Sequence, residues 1–208
     1  MKILEVKNLA IEDVKVIKYA RFCDHRGYFT ETYRKSDFDK LDIFRGVEFI
    51  QSNESYSRKG VIRGLHFQWN PYMGKLVRTL HGRMIDLVMD IRKGSKTFGK
   101  IIAYDMPADP ESNFGELIWV PVGFAHGNVF PEDTRIEYYC SGDWSPKCEA
   151  GISPLAKDID WSLCEPSLKE IFDDVAKAPL MTDKDRYGHT ITKWAESKDS
   201  DNFVYGNP

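Results

Sequence analysis

The amino-acid sequence predicts an all-β fold, a sandwich or barrel, followed by short C-terminal helices. Residues 47–145 form short β-rich runs with a turn signal about every ten residues, and no long stretch of helical periodicity interrupts them. After Trp161 the pattern loosens into EPSLKEIFDDVAKAPLMTDKD, typical of a short helix or two, and then into a polar tail. We therefore expect one domain over residues 1–208, with its core at 15–165 and a helical segment and tail at 166–208.

Composition narrows the class of protein. The chain has 208 residues, 42% of them hydrophobic, and can bury a sizeable core. A net charge of −3 with both signs interspersed argues against nucleic-acid or membrane-surface binding, so the expected partner is a small molecule. No run approaches the ~18 apolar residues of a membrane span, and MKILEVKNLA has no signal-peptide features, which predicts a cytoplasmic protein. The four cysteines include no C-x-x-C pair, which argues against a zinc site or disulfide framework.

Individual strands follow from alternation of side chains. SDFDKLDIF is the only early helix candidate. In KLVRTLHGRMIDLVMDIR, two extended runs flank His81-Gly82, which we interpret as a hairpin turn. The second run has one apolar face and one face that carries the carboxylates of Asp86 and Asp90. Further strands are predicted in KIIAYDMP, ELIWVPV and RIEYYC, and the last places Tyr138 and Cys140 on one face.

An unusual number of polar side chains lies on these β-rich segments. They are Arg26, Glu31, Gln51, Asn53, Arg63, His66, Gln68, Lys75, Arg78, Asp86, Asp90, His126 and Tyr138. Since charged groups are seldom buried without partners, these residues indicate either a solvated outer face or a polar barrel interior, and periodicity alone leaves both open. His66 follows Arg63 and precedes Lys75; such cationic neighbours favour a neutral imidazole that can accept a proton.

Other chemistries are weaker candidates. A metal-dependent barrel enzyme usually needs two closely spaced histidines, a carboxylate and a third histidine, whereas this chain offers H-x-Q at 66–68 and isolated histidines at 81 and 126. No G-x-S-x-G elbow supports a Ser-His-Asp triad. The glycine-rich phosphate loops GxGxxG and GxxxxGK[ST] are also missing, so side chains would have to hold a nucleotide.

Six motifs occur in a specific order. They are DHRGYFTE at 24–31, FIQSNESYS at 49–57, GVIRGLHFQ at 60–68, GKLVR at 74–78, DLVMDIRKGSKTFG at 86–99 and IWVPVGFAHG at 118–127. Together they resemble the dTDP-4-dehydrorhamnose 3,5-epimerase family of deoxysugar biosynthesis. The resemblance covers residues 15–165, with a further match in MTDKD at 181–185.

This resemblance implies a fold and a reaction. The fold would be a metal-free double-stranded β-helix, a jelly roll of the cupin type, working as a homodimer without a cofactor. The substrate would be a nucleotide-diphosphate sugar of the 4-keto-6-deoxyhexose class. Because the C4 ketone acidifies the hydrogens on C3 and C5, a base on one face can remove a proton while an acid on the other face returns one.

The resemblance also implies a role for each matching residue. His66 would be the general base, with Asp185 as the carboxylate that fixes its tautomer. Lys75 would stabilise the enolate oxygen and Tyr138 would be the acid. Arg26 and Arg63 match phosphate-contacting arginines. The remaining matches are Glu31, Gln51 and Asn53 at base- and sugar-binding positions, His126 as a pocket histidine, and Asp86, which either orients a catalytic group or forms an outward salt bridge.

Several positions depart from the family pattern. Pro-Tyr-Met precedes GKLVR where Ala-Gln is common, Asn128 follows AHG where an aromatic residue is usual, and Trp144 stands where a tyrosine is expected. GISPLAKDIDW lacks an N-D-x segment, and the tail after Asp185 is longer than typical. Since such changes alter pocket walls, other hypotheses stay open. They are a single-centre 3- or 5-epimerase, a CDP- or GDP-sugar substrate, a 3,4-ketoisomerase, and a non-catalytic sugar-nucleotide binding protein.

Overall fold

A computed structural model describes residues 1–207. The strands are β1 (Ile3–Asn8), β2 (Lys15–Ala20), β3 (Phe22–Asp24), β4 (Gly27–Phe29), β5 (Gln51–Ser57), β6 (Ile62–Gln68), β7 (Lys75–His81), β8 (Arg83–Asp90), β9 (Ile101–Pro107), β10 (Phe114–Val120), β11 (Phe124–Val129), β12 (Thr134–Cys140) and β13 (Glu149–Gly151). The α-helices are α1 (Lys35–Phe38), α2 (Pro166–Ala176), α3 (Asp183–Arg186) and α4 (Ile191–Glu196). Two short 3₁₀ helices lie at Asp42–Phe44 and Lys198–Asn202.

Two antiparallel sheets form the body of the molecule. The six-stranded sheet has the order β1-β2-β10-β7-β12-β5, and the five-stranded sheet has the order β13-β6-β11-β8-β9. Their inner faces share one apolar cluster, in which Val77 and Ile136 of the first sheet meet Met84 and Val88 of the second. Two antiparallel sheets that bury one face against each other in this way are typical of a double-sheet jelly roll. The expected all-β, cupin-like double-stranded β-helix is confirmed.

Other elements cover the outer faces of both sheets. On the five-stranded sheet, Leu168 and Phe172 of α2 and Trp194 of α4 belong to the same apolar cluster as Leu87 of β8. On the six-stranded sheet, Phe38 of α1 packs in a cluster with strand residues. Because α2 and α4 share a core with the barrel, they support the assignment of residues 1–208 to one domain, which stays a prediction.

Strand β8 explains where the polar residues lie. It is buried along almost its whole length because both of its faces are covered. Ile85, Leu87 and Met89 face the C-terminal segment, whereas Met84 and Val88 face the barrel interior. Asp86 lies two positions from both Met84 and Val88, so it faces the same side as they do, and it is fully buried. The carboxylate therefore points into the barrel, and the outward salt bridge considered for Asp86 is wrong.

Two sequence predictions about strands need correction. His81-Gly82 is not a hairpin turn, because β7 pairs with β10 and β12 while β8 pairs with β9 and β11. Gly82, with φ +78°, instead carries the chain from one sheet to the other. Strands β1 and β2 were not predicted. In β2, the adjacent residues Val16 and Ile17 are both buried, so buried and exposed positions do not alternate there.

Within residues 1–207, no helix is both long enough and apolar enough to cross a membrane.

Candidate active site

A cavity of about 520 Å³ opens between the two sheets, within the usual size for a small-molecule site. Strand residues from both sheets line it, together with Thr182, which caps α3, and with Lys184 and Asp185 of that helix. Most of the predicted site residues meet here: Gln51, Asn53, Arg63, His66, Lys75, His126, Tyr138 and Asp185. The polar strand residues are thus largely a polar interior, and one cavity contains both the expected base and the expected acid.

A β-bulge in β6 places Arg63 and His66 on the same side. The two residues are three positions apart, so a regular strand would point them to opposite faces. In the structure, His126 pairs with His66 and Asn128 pairs with Arg63. Between these two pairs β6 has two residues and β11 has one, which is a β-bulge. Gly64 lies in this bulge with φ +101°, and a Cβ there would be 2.6 Å from the His126 carbonyl oxygen. Only glycine fits so close an approach.

His66 and Asp185 form a hydrogen-bonded pair. His66 Nε2 lies 2.6 Å from Asp185 Oδ1, and Asp185 is buried at the start of the short helix α3, where its backbone N–H donates to Thr182 Oγ1. Burial alone would raise the pKa of Asp185, but its hydrogen bond to His66, the imidazole's charge and the Gly64 backbone N–H together lower that pKa. An ionised carboxylate holds the imidazole proton on Nε2, which leaves the lone pair of Nδ1 to accept a proton.

A second histidine–carboxylate pair lies on the neighbouring strands. His126 Nε2 is 2.8 Å from Asp86 Oδ2, and Asn128 Nδ2 donates to the same oxygen at 3.0 Å. His126 is the direct cross-strand neighbour of His66. Asp86 therefore orients His126. That His126 is a catalytic group, as the orienting role considered for Asp86 requires, stays a prediction.

Lys75 and Tyr138 contribute a cation and a phenol on the six-stranded sheet. Burial lowers the pKa of Lys75, although Cys140, Glu149 and Asp86 act in the opposite direction. Burial raises the pKa of Tyr138, with a further contribution from Cys140 and a smaller opposing one from Arg63. The phenol of Tyr138 thus remains protonated. The Lys75 ammonium lies in a buried site, where it would stabilise a developing negative charge more strongly than it would in water.

Arg26 and Glu31 do not reach this cavity. Arg26 lies on the exposed turn between β3 and β4, where it pairs with Asp24 at 2.6 Å. Glu31 bonds to the N-terminal amino group at 2.6 Å and to Arg34. Their substrate-binding role stays a prediction, and in a single chain they do not line the cavity with the other predicted site residues.

Several cavity residues received no site role from the sequence. Gln68 and Cys140 lie two positions from His66 and Tyr138, so strand alternation could have assigned them to the site. Trp144 and Lys184 form a cluster at the cavity, where both bond to Glu149 Oε2, at 3.3 and 2.8 Å. No strand pattern links these two residues, because Trp144 lies in the loop after β12 and Lys184 lies in α3.

Nowhere in residues 1–207 do three His, Cys, Asp or Glu side chains converge in a way that could hold a metal ion.

The fold and the cavity define an enzyme of the isomerase class. A barrel interior that contains an imidazole–carboxylate pair, a phenol and an ammonium can remove a proton next to a carbonyl, stabilise the resulting oxyanion and return a proton.

Comparisons with known proteins identify the family. The sequence profile of the dTDP-4-dehydrorhamnose 3,5-epimerase family matches residues 8–193. The dTDP-4-dehydrorhamnose 3,5-epimerase of Shigella flexneri is 35% identical over 205 residues, which cover 97% of this chain and 100% of that protein. The protein belongs to the dTDP-4-dehydrorhamnose 3,5-epimerase family, so the resemblance found in the sequence and the expected isomerase activity are confirmed.

Solved structures agree with this assignment. A dTDP-6-deoxy-D-glucose-3,5-epimerase from Legionella pneumophila, in complex with dTDP-4-keto-L-rhamnose, superposes with a TM-score of 0.80 at 28% identity and covers 98% of this chain and 99% of its own. ChmJ, a 3'-monoepimerase from Streptomyces bikiniensis in complex with dTDP-quinovose, superposes with a TM-score of 0.76 at 26% identity, covering 91% of this chain and 89% of its own. Enzymes that act on one centre and on two therefore share this fold.

Proposed function

We propose that this protein is an epimerase of a nucleotide-linked 4-keto-6-deoxyhexose, with the dTDP-linked 4-dehydro-6-deoxyglucose as substrate and inversion at C3 and C5. The observation that carries the proposal is the 2.6 Å pair of His66 and Asp185 in a cavity that Lys75 and Tyr138 also line. None of these groups needs a redox partner to move a proton.

The reaction follows from the chemistry of the ketone. His66 takes the proton from the carbon next to C4, and the electron pair of that C–H bond moves into an enolate whose charge rests on O4. Lys75 stabilises this oxyanion, which for a preorganised donor contributes about 3 kcal/mol or more. Tyr138 then donates its phenolic proton to the opposite face of the same carbon, and the configuration is inverted. Solvent restores the proton on Tyr138 and removes the one on His66.

We assign Arg63 to the diphosphate. Its Nε donates to Ser57 Oγ at 2.9 Å and its Nη2 to the Tyr56 carbonyl at 3.2 Å, which fixes the guanidinium at the exposed side of the cavity. A forked guanidinium suits phosphate oxygens. Gln51 and Asn53, joined by a 2.9 Å hydrogen bond, are assigned to the base and sugar on the adjacent wall.

Isotope exchange tests the function. The protein is incubated with dTDP-4-keto-6-deoxyglucose in deuterated water, and NMR follows deuterium at C3 and C5. Incorporation at both carbons with inversion is the expected result. The proposal would be wrong if neither carbon gained deuterium and the CDP- and GDP-linked analogues also failed. A His66→Ala variant that still binds dTDP but loses exchange separates an enzyme from a sugar-nucleotide binding protein.

The same spectra test the two alternative reactions. The likeness to a 3'-monoepimerase keeps a single-centre enzyme as the second candidate. Deuterium at only one of the two carbons would establish it. A carbonyl signal that moves from C4 to C3 would instead indicate a 3,4-ketoisomerase.

We further propose a homodimer in which each subunit supplies Arg26 and Glu31 to the site of its partner. The hairpin of β3 and β4 supports this, because within residues 1–207 it pairs with no other strand and exposes Phe22 and Phe29 at 54% and 68%. Monomers seldom leave adjacent aromatic rings in solvent without an interaction site. A diphosphate needs more cations than Arg63, and Arg26 lies on this same hairpin.

Complementation between two inactive variants tests the shared site. Arg26→Ala and His66→Ala homodimers are each expected to be nearly inactive. In the mixed dimer, one site combines an intact His66 with an intact Arg26 from the partner, so activity should return to roughly half of wild type per mixed dimer by this count of sites. No recovery, together with a monomer in analytical ultracentrifugation, would overturn the proposal.

We assign the enzyme to the cytoplasm, where its nucleotide-sugar substrate would be available, and cell fractionation tests this.

A further inference from the structure

Asn128 occupies a position where an amide is unexpected. The side chain is 6% exposed and lines the cavity, as does His126 two positions earlier on β11, and Phe130, just after the end of β11, is in the apolar cluster between the sheets. The family pattern has an aromatic residue here, as the sequence analysis noted. A buried amide is costly unless its polar atoms find partners, so its retention calls for an explanation.

The hydrogen bonds of Asn128 fix which way its amide points. Nδ2 lies 3.0 Å from Asp86 Oδ2 and 3.0 Å from Met84 Sδ. Since a carboxylate only accepts, the NH₂ group must face Asp86, and the amide oxygen points away from it. No donor within residues 1–207 bonds to Asn128 Oδ1, and unlike Asp86 Oδ1 this atom is not sealed from the cavity. Asn128 therefore presents a fixed, unused acceptor to whatever fills the cavity.

The register of the sheet indicates which substrate atom meets this acceptor. Asn128 lies between Asp86 and Arg63 as their direct cross-strand neighbour, and His126 and His66 form the next row. Under the proposed function, Arg63 holds the diphosphate on C1 and His66 reaches C3 or C5. When His66 acts on C3, the ring carbon between these two points is C2, whose hydroxyl is neither consumed nor inverted. An acceptor on that hydroxyl could hold the ring in place while a neighbouring carbon changes configuration.

We propose that Asn128 is a specificity residue that accepts a hydrogen bond from the C2 hydroxyl of the sugar, so that the substrate class is a 6-deoxyhexose that retains this hydroxyl and not a 2,6-dideoxyhexose. The inference rests on the proposed function for the placement of the sugar. A site built to bond a substrate hydroxyl rejects the analogue without it, because a buried polar group is then left unpaired.

Binding of two unreactive ligands tests the inference. Calorimetry compares dTDP-glucose with dTDP-2-deoxyglucose on the wild-type protein and on Asn128→Leu, which keeps the shape but removes the polar atoms. We expect the wild type to prefer the hydroxylated ligand by about tenfold, as for one unpaired group. Asn128→Leu should bind the two ligands within about twofold of each other, with only the hydroxylated ligand weakened. Asn128→Ala serves as a second variant should the leucine disturb packing.

Controls separate this role from a structural one. Binding of dTDP alone, which lacks the sugar, should be the same in wild type and variants, and so should the thermal unfolding midpoint within a few degrees. Equal affinity of the wild type for the two ligands overturns the inference, as does an equal loss for both ligands in Asn128→Leu, which would mean that Asn128 acts only by supporting Asp86. A wild-type protein that binds neither ligand overturns it too. Because these ligands cannot react, the result is independent of the deuterium exchange that tests the epimerase itself.

Discussion

Asp185 Oδ1 lies 2.6 Å from His66 Nε2 although 119 positions separate the two residues in the chain. The carboxylate comes from the C-terminal segment, whereas the imidazole belongs to the barrel. The Thr182 side chain, which accepts from the Asp185 backbone N–H, holds the carboxylate at the start of α3. A segment after the barrel therefore completes the site.

Asp185→Asn should leave the cavity intact but disable the base. An amide cannot stabilise the imidazolium and favours the wrong tautomer, so kcat should fall by about 10³ to 10⁴ with little change in KM. Steady-state kinetics measures this. Asp183→Asn is the matched control, since Asp183 lies in the same helix turn but is exposed, and it should keep wild-type activity. Comparable losses in the two variants would contradict the assignment.

Lys75 should set the alkaline limit of activity. The ammonium must be protonated to stabilise the oxyanion, so the rate falls as pH rises through the pKa of Lys75, which burial lowers from its ordinary value of 10.5. The pKa of Tyr138 is raised, so the phenol stays protonated over that range and does not set the limit. The profile of kcat/KM should therefore decline at a pH below 10.5. In Lys75→Arg, whose charge persists above pH ~12, the decline should shift to higher pH, and an unchanged limb would argue against Lys75.

Tyr138→Phe should separate proton removal from inversion. His66 can still remove and return a proton on its own face, so deuterium exchange without inversion should continue. Formation of inverted product should fall by about 10² to 10⁴, the usual contribution of a general acid. NMR measures both. Tyr139→Phe is the control because the next residue faces the opposite side, where Tyr139 stacks on Tyr33. Inversion at wild-type rate in Tyr138→Phe would identify another acid.

Gly64→Ala should unfold the site, whereas Gly60→Ala should be tolerated better. Both glycines have positive φ, at +101° and +86°, so each substitution carries a backbone cost of about 1–2 kcal/mol. At Gly60 nothing lies within 4 Å of the added Cβ, but at Gly64 it would be 2.6 Å from the His126 carbonyl oxygen and 2.7 Å from Gly127 Cα. Urea unfolding should show a loss of about 3 kcal/mol or more at Gly64. Equal losses at the two positions would show that the bulge yields easily.

Part of the site could be predicted from local pattern. Alternation in RIEYYC placed Tyr138 and Cys140 on one face, and the structure puts both in the cavity. The same reasoning failed at His81-Gly82, because the residues of a hairpin turn and of a crossing between sheets look alike in sequence. It also could not decide whether Asp86 faces solvent or the interior, since that depends on which elements cover the two faces of β8.

The sequence by itself determined the chemical inventory: an imidazole, two carboxylates, a phenol, an ammonium and guanidiniums, on segments whose periodicity makes them strands. Only the tertiary structure decided how these groups meet. Arg63 and His66 share a face because a bulge shifts the register of β6 against β11. Asp185 bonds to His66 because the C-terminal segment packs against the barrel. Local periodicity reports the direction of a side chain within a regular strand, but a bulge or a long-range contact depends on the neighbouring strand that the chain folds against.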